Sequence, residues 1–497
     1  MEVLPTPCMA TIAEYLPQLE HGRLCVWLRD INRISKEEYV AMSSKACEKY
    51  VVTGSDDTKG IYTREMGWSA LEVLSAALSN GGPHSHTYGP LELEEVIQWI
   101  PKVRSLDVRC FSPDDHQTLY SGIGTPHFRL IARLPALTSL TQLDISNQIG
   151  FDTPEQLLPL GELTSLTELH LERCIDSTDF GIEDSEESVL YAIAPLINLR
   201  ILNLNKCSNV SGDDLDVVLD GMTNLVKLSL SRTGVICTSG IKHLPIQILD
   251  LSSTAADEPD GLDLPASVTD LDLSGRDIMD GLDSFLDDVP SLTRLQLIDC
   301  GISDNDIAYL SKFAKIMSLG IGFDDEFRLY DMNPVSDIGL QHLVKFKRLT
   351  ELKMDNLDIT DNGVANMIYS MSESDIQLKS LTISNCGLFT EAALPCLAAM
   401  KSLEELYLGK DGPEITTKGL AVIAFLELKR LSIISFAEGN DLLCLGKMTT
   451  LKSLNLDVRV RMEGPVSTLE RRIDIIKESI SSLKDELPGC IITRYRH

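Results

Sequence analysis

Leucines return along this chain in one frame, L-x-x-L-x-x-L-x-L-x-x, closed by Cys, Thr or Asn. Regular copies are LTSLTELHLERC ending at Cys174, LINLRILNLNKC ending at Cys207 and VPSLTRLQLIDC ending at Cys300. Looser copies include LTSLTQLDISNQ, MTNLVKLSLSRT, FKRLTELKMDNL, MKSLEELYLGKD and MTTLKSLNLDVR, with the shortened IQILDLSST, VTDLDLSGR, LKSLTISNC and LKRLSIISF. The leucine that opens each L-x-L serves as an anchor: Leu106, Leu143, Leu169, Leu202, Leu228, Leu249, Leu271, Leu295, Leu319, Leu352, Leu381, Leu406, Leu431 and Leu454. Successive anchors stand about 21 to about 37 residues apart, the spacing of a stack of small repeated units.

Alternation makes each L-x-L a short strand with both leucines facing inward and the residues between them facing out. A single unit cannot bury its leucines alone; its neighbour removes them from water at about 25 cal/mol per Å². The closing position of the frame turns the chain inward, so a small residue that can meet loose backbone groups is expected there: Cys174, Cys207, Cys300 and Cys386, with Thr233 and Thr254 as substitutes. Several units continue into a second pattern, as in GISDNDIAYLSKF from Gly301, PVSDIGLQHLVKF from Pro334, DITDNGVANMIYSM from Asp358, LFTEAALPCLAAM from Leu388 and EITTKGLAVIAFL from Glu414. Ser303, Ser336, Thr360, Thr390 and Thr416 stand where a helix N-cap belongs, and apolar residues at helical spacing follow. The steps to Leu249 and Leu271, about 21 and about 22 residues, leave room only for extended or single-turn connections.

A strand ending in Cys, then I-[ST]-D-x-G-L and a short helix, resembles the cysteine-containing subfamily of leucine-rich-repeat proteins over roughly residues 100 to 460. The resemblance implies an α/β fold: a leucine-rich-repeat solenoid, or horseshoe, with parallel strands on its concave face and helices and irregular connections on its convex face. Many units lack the Cys, and unit lengths vary, with insertions expected at 110–136, 174–190 and 322–335.

The repeats are expected to run over 99–461. After them Leu469, Ile473, Ile476, Ile480, Leu483 and Leu487 mark an amphipathic helix, Pro488 and Gly489 stop it, and Cys490 to Thr493 add a strand, so 462–497 is read as a C-terminal cap. Residues 1–45 lie outside the clear repeat and predict short helices with an apolar face, built on Leu4, Pro5, Met9, Ile12, Tyr15 and Leu16. This run, with Trp27, Arg29 and Arg33 behind it, is similar to an F-box, although the usual V-x-[KR]-x-W ending is not visible. That resemblance implies a substrate-recognition subunit of a cullin-type (SCF) ubiquitin ligase, with Leu4, Pro5, Ile12 and Leu16 docking a Skp-type adaptor. A helical N-terminal cap explains the same residues, and 46–98 reads as a linker or capping region.

A formal net charge of −30 weighs against nucleic acid or an anionic membrane, which require a basic face. The N-terminus has no basic stretch ahead of its apolar one and does not read as a signal peptide, and no apolar run is long enough to span a membrane. The Cys residues are scattered, without CxxC pairs, which points to a reducing compartment, the cytoplasm or nucleus. No P-loop, nucleophile elbow, HExxH or dinucleotide turn occurs. His84 and His86 fall in a Gly- and Pro-rich loop with no third ligand in view, and His170 and Cys174 are placed on opposite sides of their strand. The acidic stretch from Asp176 to Glu187 lacks the spacing of a calcium loop and reads as a solvated insertion. No catalytic, cofactor or metal residues are therefore assigned, and the chain is read as a non-enzyme, monomeric apart from its partners.

Binding is expected on the outward columns of the strands, where a protein partner would meet Asp144, His170, Asn203, Asp250, Asp270, Asp272, Gln296, Lys353, Tyr407 and Ile434. Asp250, Asp270 and Asp272 suggest one acidic patch and Asp144, Glu168 and Glu172 another, while Tyr407, Ile434 and Phe436 offer apolar anchors. The function expected is a protein-interaction solenoid, either the ligase adaptor or a scaffold or regulator with no ubiquitin role.

Overall fold

In the computed structural model the described residues are 104–107, 131, 134–147, 151, 154–175, 188–235, 239–254, 263–276, 278, 282–323, 335–409, 413, 415–435, 439–459 and 466–494. They form two compact units, the first taking the described residues up to Asp250 with 263–267, the second taking the rest. The fold is an α/β leucine-rich-repeat solenoid.

The first unit carries strands β1 (Ser105–Asp107), β2 (Gln142–Asp144), β3 (Glu168–His170), β4 (Ile201–Asn203), β5 (Lys227–Ser229) and β6 (Ile248–Asp250). Each pairs in parallel with the next, and every register sets anchor on anchor, from Leu106 against Leu143 to Leu228 against Leu249. The second unit carries β7 (Asp270–Asp272), β8 (Arg294–Ile298), β9 (Ser318–Gly322), β10 (Glu351–Asp355), β11 (Ser380–Ser384), β12 (Glu405–Leu408), β13 (Arg430–Ser435) and β14 (Ser453–Val458). Here too the anchors align, Leu271 with Leu295 through Leu431 with Leu454. Leu143 to Leu454 are buried to 1% exposure or less, so the core is a stack of leucine layers, each closed by its neighbours.

Four residues after its anchor the backbone swings into the left-handed region in unit after unit: Asn147, Arg173, Lys206, Arg232, Ser253, Gly275, Asp299, Asn356 and Asn385. Asn, Asp and Gly enter this region readily; Arg173, Lys206 and Arg232 do so at a steric cost that the surrounding register must offset. The corner delivers the next residue inward, the closing position of the frame. Cys174 Sγ donates to Ile145 O, Cys207 Sγ to Leu171 O and Cys300 Sγ to Leu273 O, all at 3.1 Å and each in the preceding repeat. Thr233 and Thr254 instead donate to carbonyls of their own repeat, Leu230 O at 2.7 Å and Leu251 O at 2.8 Å. Arg276, which the sequence frame did not single out, fills the same slot at 1% exposure, with Nη1 donating to Thr254 Oγ1 at 2.7 Å.

Ser303, Ser336, Thr360 and Thr416 cap the helices Asp304–Leu310, Asp337–Leu343, Asp361–Glu373 and Thr417–Ile423. After Thr390 the run Glu391–Ala399 is a 3-10 helix with Pro395 inside it, since proline supplies no N–H for an α-helical ladder. The short step to Leu249 holds a single 3-10 turn, Ser239–Ile241, as expected from its length.

A further set of bonds ties the helix starts of successive repeats. Asp304 accepts from Ser336 N at 2.8 Å and Ser336 Oγ at 2.7 Å. Asp337 accepts likewise from Thr360, Asp361 from Thr390 and Glu391 from Thr416. The glycine of the I-[ST]-D-x-G-L pattern leaves room for this carboxylate. A Cβ on Gly363 would fall on Asp337 Oδ1, and one on Gly339 on Asp304 Oδ1, which that glycine's own N–H contacts at 2.9 Å.

The C-terminal cap is a helix, Val466–Glu486, that buries Ile476 and Leu483, with Leu487 buried just after it, followed by β15 (Ile491–Arg494) paired with β14 so that Ile492 sits against Leu454. The expected F-box-like or capping segment 1–45 with Leu4, Pro5, Ile12 and Leu16, the segment 46–98, His84 and His86, Phe436 and most of the three expected insertions lie outside the described residues.

Candidate partner-binding face

Helical elements cover the inner side of each sheet, and the alternate side chains project from the other. In the first unit Asp144, His170, Asn203 and Asp250 stand in one column, half-buried, with Ser229 buried between Asn203 and Asp250. The acidic patch expected from Asp144, Glu168 and Glu172 is compensated within the face. Glu168 accepts from Gln142 Nε2 at 2.9 Å and lies 2.8 Å from His170 Nε2, and Glu172 pairs with Lys206 at 2.6 Å. Asp144 accepts the Ser146 N–H at 3.0 Å and Asn203 the Asn205 N–H at 2.9 Å, so both close a turn at the end of their own strand.

In the second unit Asp272 closes the same turn, accepting from Ser274 N at 2.9 Å, while Asp270 is held by Arg294 at 2.9 Å. β2, β4 and β7 stop at their column residues Asp144, Asn203 and Asp272, whereas β14 runs past Asn455. The strands with Gln296, Lys353 or Thr382 in the column continue two residues further. Asp250 belongs to the first unit and Asp270 and Asp272 to the second. Gln296 lies over Gly320, where any Cβ would meet its Oε1, so the column narrows to backbone at β9.

A polar cluster surrounds Tyr407. Its hydroxyl donates to Glu405 Oε2 at 3.2 Å, and Glu405 also binds the guanidinium of Arg430 across the β12–β13 pair. Partial burial and then the Glu405 charge raise the Tyr407 pKa, and the hydrogen bond to Glu405 raises that of Arg430, so at neutral pH the phenol is protonated and the guanidinium charged. Ile434 is half-buried on β13, in register with Asp457 of β14, whose carboxylate lies 3.5 Å from Arg459. Gln142, Arg294, Glu405 and Arg430 were not among the residues selected from the sequence. They stand one residue before an anchor, and the same alternation that put Tyr407 outward puts them outward too.

His170 is half-exposed and Cys174 fully buried, which separates the two as the frame requires. Burial pushes the Cys300 thiol well up and that of Cys386 up to about 11, so both are protonated and poor nucleophiles. Among the described residues no group of three or more His, Cys, Asp and Glu could hold a metal ion, and no helix is long and apolar enough to cross a membrane.

No protein-family model matches this chain, and no curated protein is found as a relative. Among solved structures it is similar to an internalin from Listeria monocytogenes, at 18% identity over 72% of this chain and 83% of that one, with a TM-score of 0.35. It is also similar to a leucine-rich-repeat protein of Leptospira interrogans, at 16% identity over 73% of this chain and 91% of the other, with a TM-score of 0.36.

Proposed function

We propose that this chain is a protein-binding solenoid that holds its partner on the solvent face of the sheet. The carrying observation is the cluster of Tyr407, Glu405 and Arg430: an aromatic and an arginine fixed by one carboxylate on a face that none of the described helices covers. Such side chains dominate interface energies, and their mutual bonds hold them in place before a partner arrives. In the same unit the column residues Gln296 and Lys353 extend this surface and Asp272 closes a strand end beside it, while in the first unit His170 stands in a column of its own whose strand ends are closed by Asp144 and Asn203. The test is affinity capture with mass spectrometry on wild type and on Tyr407→Ala with Arg430→Glu. Partners retained equally by both would overturn this face; partners lost from the folded variant support it.

The finer reading is a substrate-recognition adaptor of a cullin-type ubiquitin ligase, supported by the F-box-like run at Leu4, Pro5, Ile12 and Leu16. Mixing the purified chain with a Skp-type adaptor tests it. A stable complex lost in Leu4→Ala with Pro5→Ala, with the repeats melting as before, supports it. No complex leaves a scaffold or regulator. The scattered cysteines, thiols at the described positions, support the cytoplasm or nucleus as its compartment.

A further inference from the structure

On the helical side of the first unit an apolar residue recurs where solvent reaches it. Leu158, Tyr191 and Val217 are 55%, 39% and 61% exposed, and each stands eleven residues before the anchor of its repeat, Leu169, Leu202 or Leu228. Those anchors align across β3, β4 and β5, and the elements Leu158–Glu162, Val189–Ile193 and Gly212–Leu219 pack against one another in that order. The three side chains therefore make one row across three repeats. Single exposed apolar residues are ordinary; one position kept apolar and exposed through consecutive units is not.

The segments that carry the row hold one sign of charge. Glu155, Glu162 and Asp213 are exposed beside it, and the segments 154–162, 188–194 and 211–221 contain neither Lys nor Arg. Charge of this sign repels nucleic acid and anionic lipid and favours a cationic partner. The backbone of these helical elements is largely committed to their own turns, so the row offers side chains and no open strand edge. A segment docking there must satisfy its own backbone, as a helix does.

We infer that this row is a docking surface for a basic amphipathic helix of a partner protein, its apolar stripe on Leu158, Tyr191 and Val217 and its lysines or arginines toward the flanking carboxylates. The surface lies wholly within the first unit, and the proposal does not depend on the face around Tyr407 in the second.

The probe is a fluorescent peptide of about 18 residues, roughly five helical turns, built of Leu and Lys in amphipathic order. A peptide of the same composition in scrambled order controls for charge alone. Anisotropy titrations use the full chain, Leu158→Ser with Val217→Ser, Tyr191→Ser alone, and Glu162→Gln with Asp213→Asn. The altered positions are exposed, so their melting curves should match wild type. The ordered peptide should bind wild type roughly tenfold more tightly than it binds either serine variant, and more tightly than the scrambled peptide binds wild type. It should weaken on the neutralised variant and with added salt. Equal binding to wild type and the serine variants, equal binding of the two peptides, or no binding would overturn the inference.

Discussion

The carboxylate of Asp337 accepts both the backbone N–H and the hydroxyl of Thr360, at 2.8 and 2.7 Å, although the two residues belong to different repeats. An acid in the first turn of one helix thus completes the cap of the next, a bond that holds helix start to helix start while the leucines hold strand to strand. Asp337→Ala should lower stability by about 1–2 kcal/mol, the scale of a lost cap. Thr360→Val should cost a similar amount, and the double variant less than the sum. Urea denaturation of all four proteins checks this; strict additivity would mean that the contact contributes nothing.

Leu295 and Leu406 are fully buried anchors in different repeats. Leu406→Ala should cost about 2–5 kcal/mol. Leu295→Asp should cost more, because a carboxylate is then buried with no partner to compensate it. A melting temperature that stays put for either would contradict the inward assignment.

Thiol labelling separates the closing position of the frame from the rest. Among the described cysteines, native Cys207, Cys300 and Cys386 should alkylate slowly near pH 8 and the part-buried Cys444 and Cys490 before them. Because Cys386 ionises near 11 when folded and near about 8.5 when unfolded, the unfolded chain releases its proton first as pH rises. Its contribution to stability is complete below the unfolded value and is lost as pH climbs toward the folded one. Melting temperature followed through this alkaline window should fall, and the fall should shrink in Cys386→Ala.

Asp272 closes the end of β7 through the Ser274 N–H. Asp272→Asn should be nearly neutral, since the amide oxygen can accept the same bond, whereas Asp272→Leu should cost about 1 kcal/mol. A partner lost with Asp272→Leu but kept with Asp272→Asn reports a disturbed strand end and not a missing contact.

The strand frame was legible because burial of a repeated leucine demands periodicity, and each anchor from Leu143 to Leu454 falls where L-x-L put it. The N-caps were legible for a local reason: Ser336 and Thr360 stand beside the helices they start. The left-handed corner was not, because Asn147, Arg173, Ser253 and Asp299 share a conformation without sharing chemistry. Nor was the bond from Asp337 to Thr360, whose two ends were each visible as N-cap and first-turn acid but whose pairing depends on the stacking of repeats. Arg276 escaped notice because a long cation breaks the small-residue rule of its slot. The outward face was identified by position, while the division of its residues into strand-enders such as Asp144 and available groups such as Arg430 emerges only from their hydrogen bonds.

Ser336-Asp337, Thr360-Asp361 and Thr390-Glu391 each carry both halves of the link between helix starts: the hydroxyl residue receives the acid behind it, and its own acid serves the hydroxyl ahead. A tandem duplication running from one such dipeptide to the next would insert a repeat already matched to both neighbours, and a deletion between two of them would leave the survivors matched to each other. In this part of the chain the gene can gain or lose whole repeats with no second mutation to repair the junction, so descendants of this array should differ more readily in the number of their repeats than in the make-up of these joints.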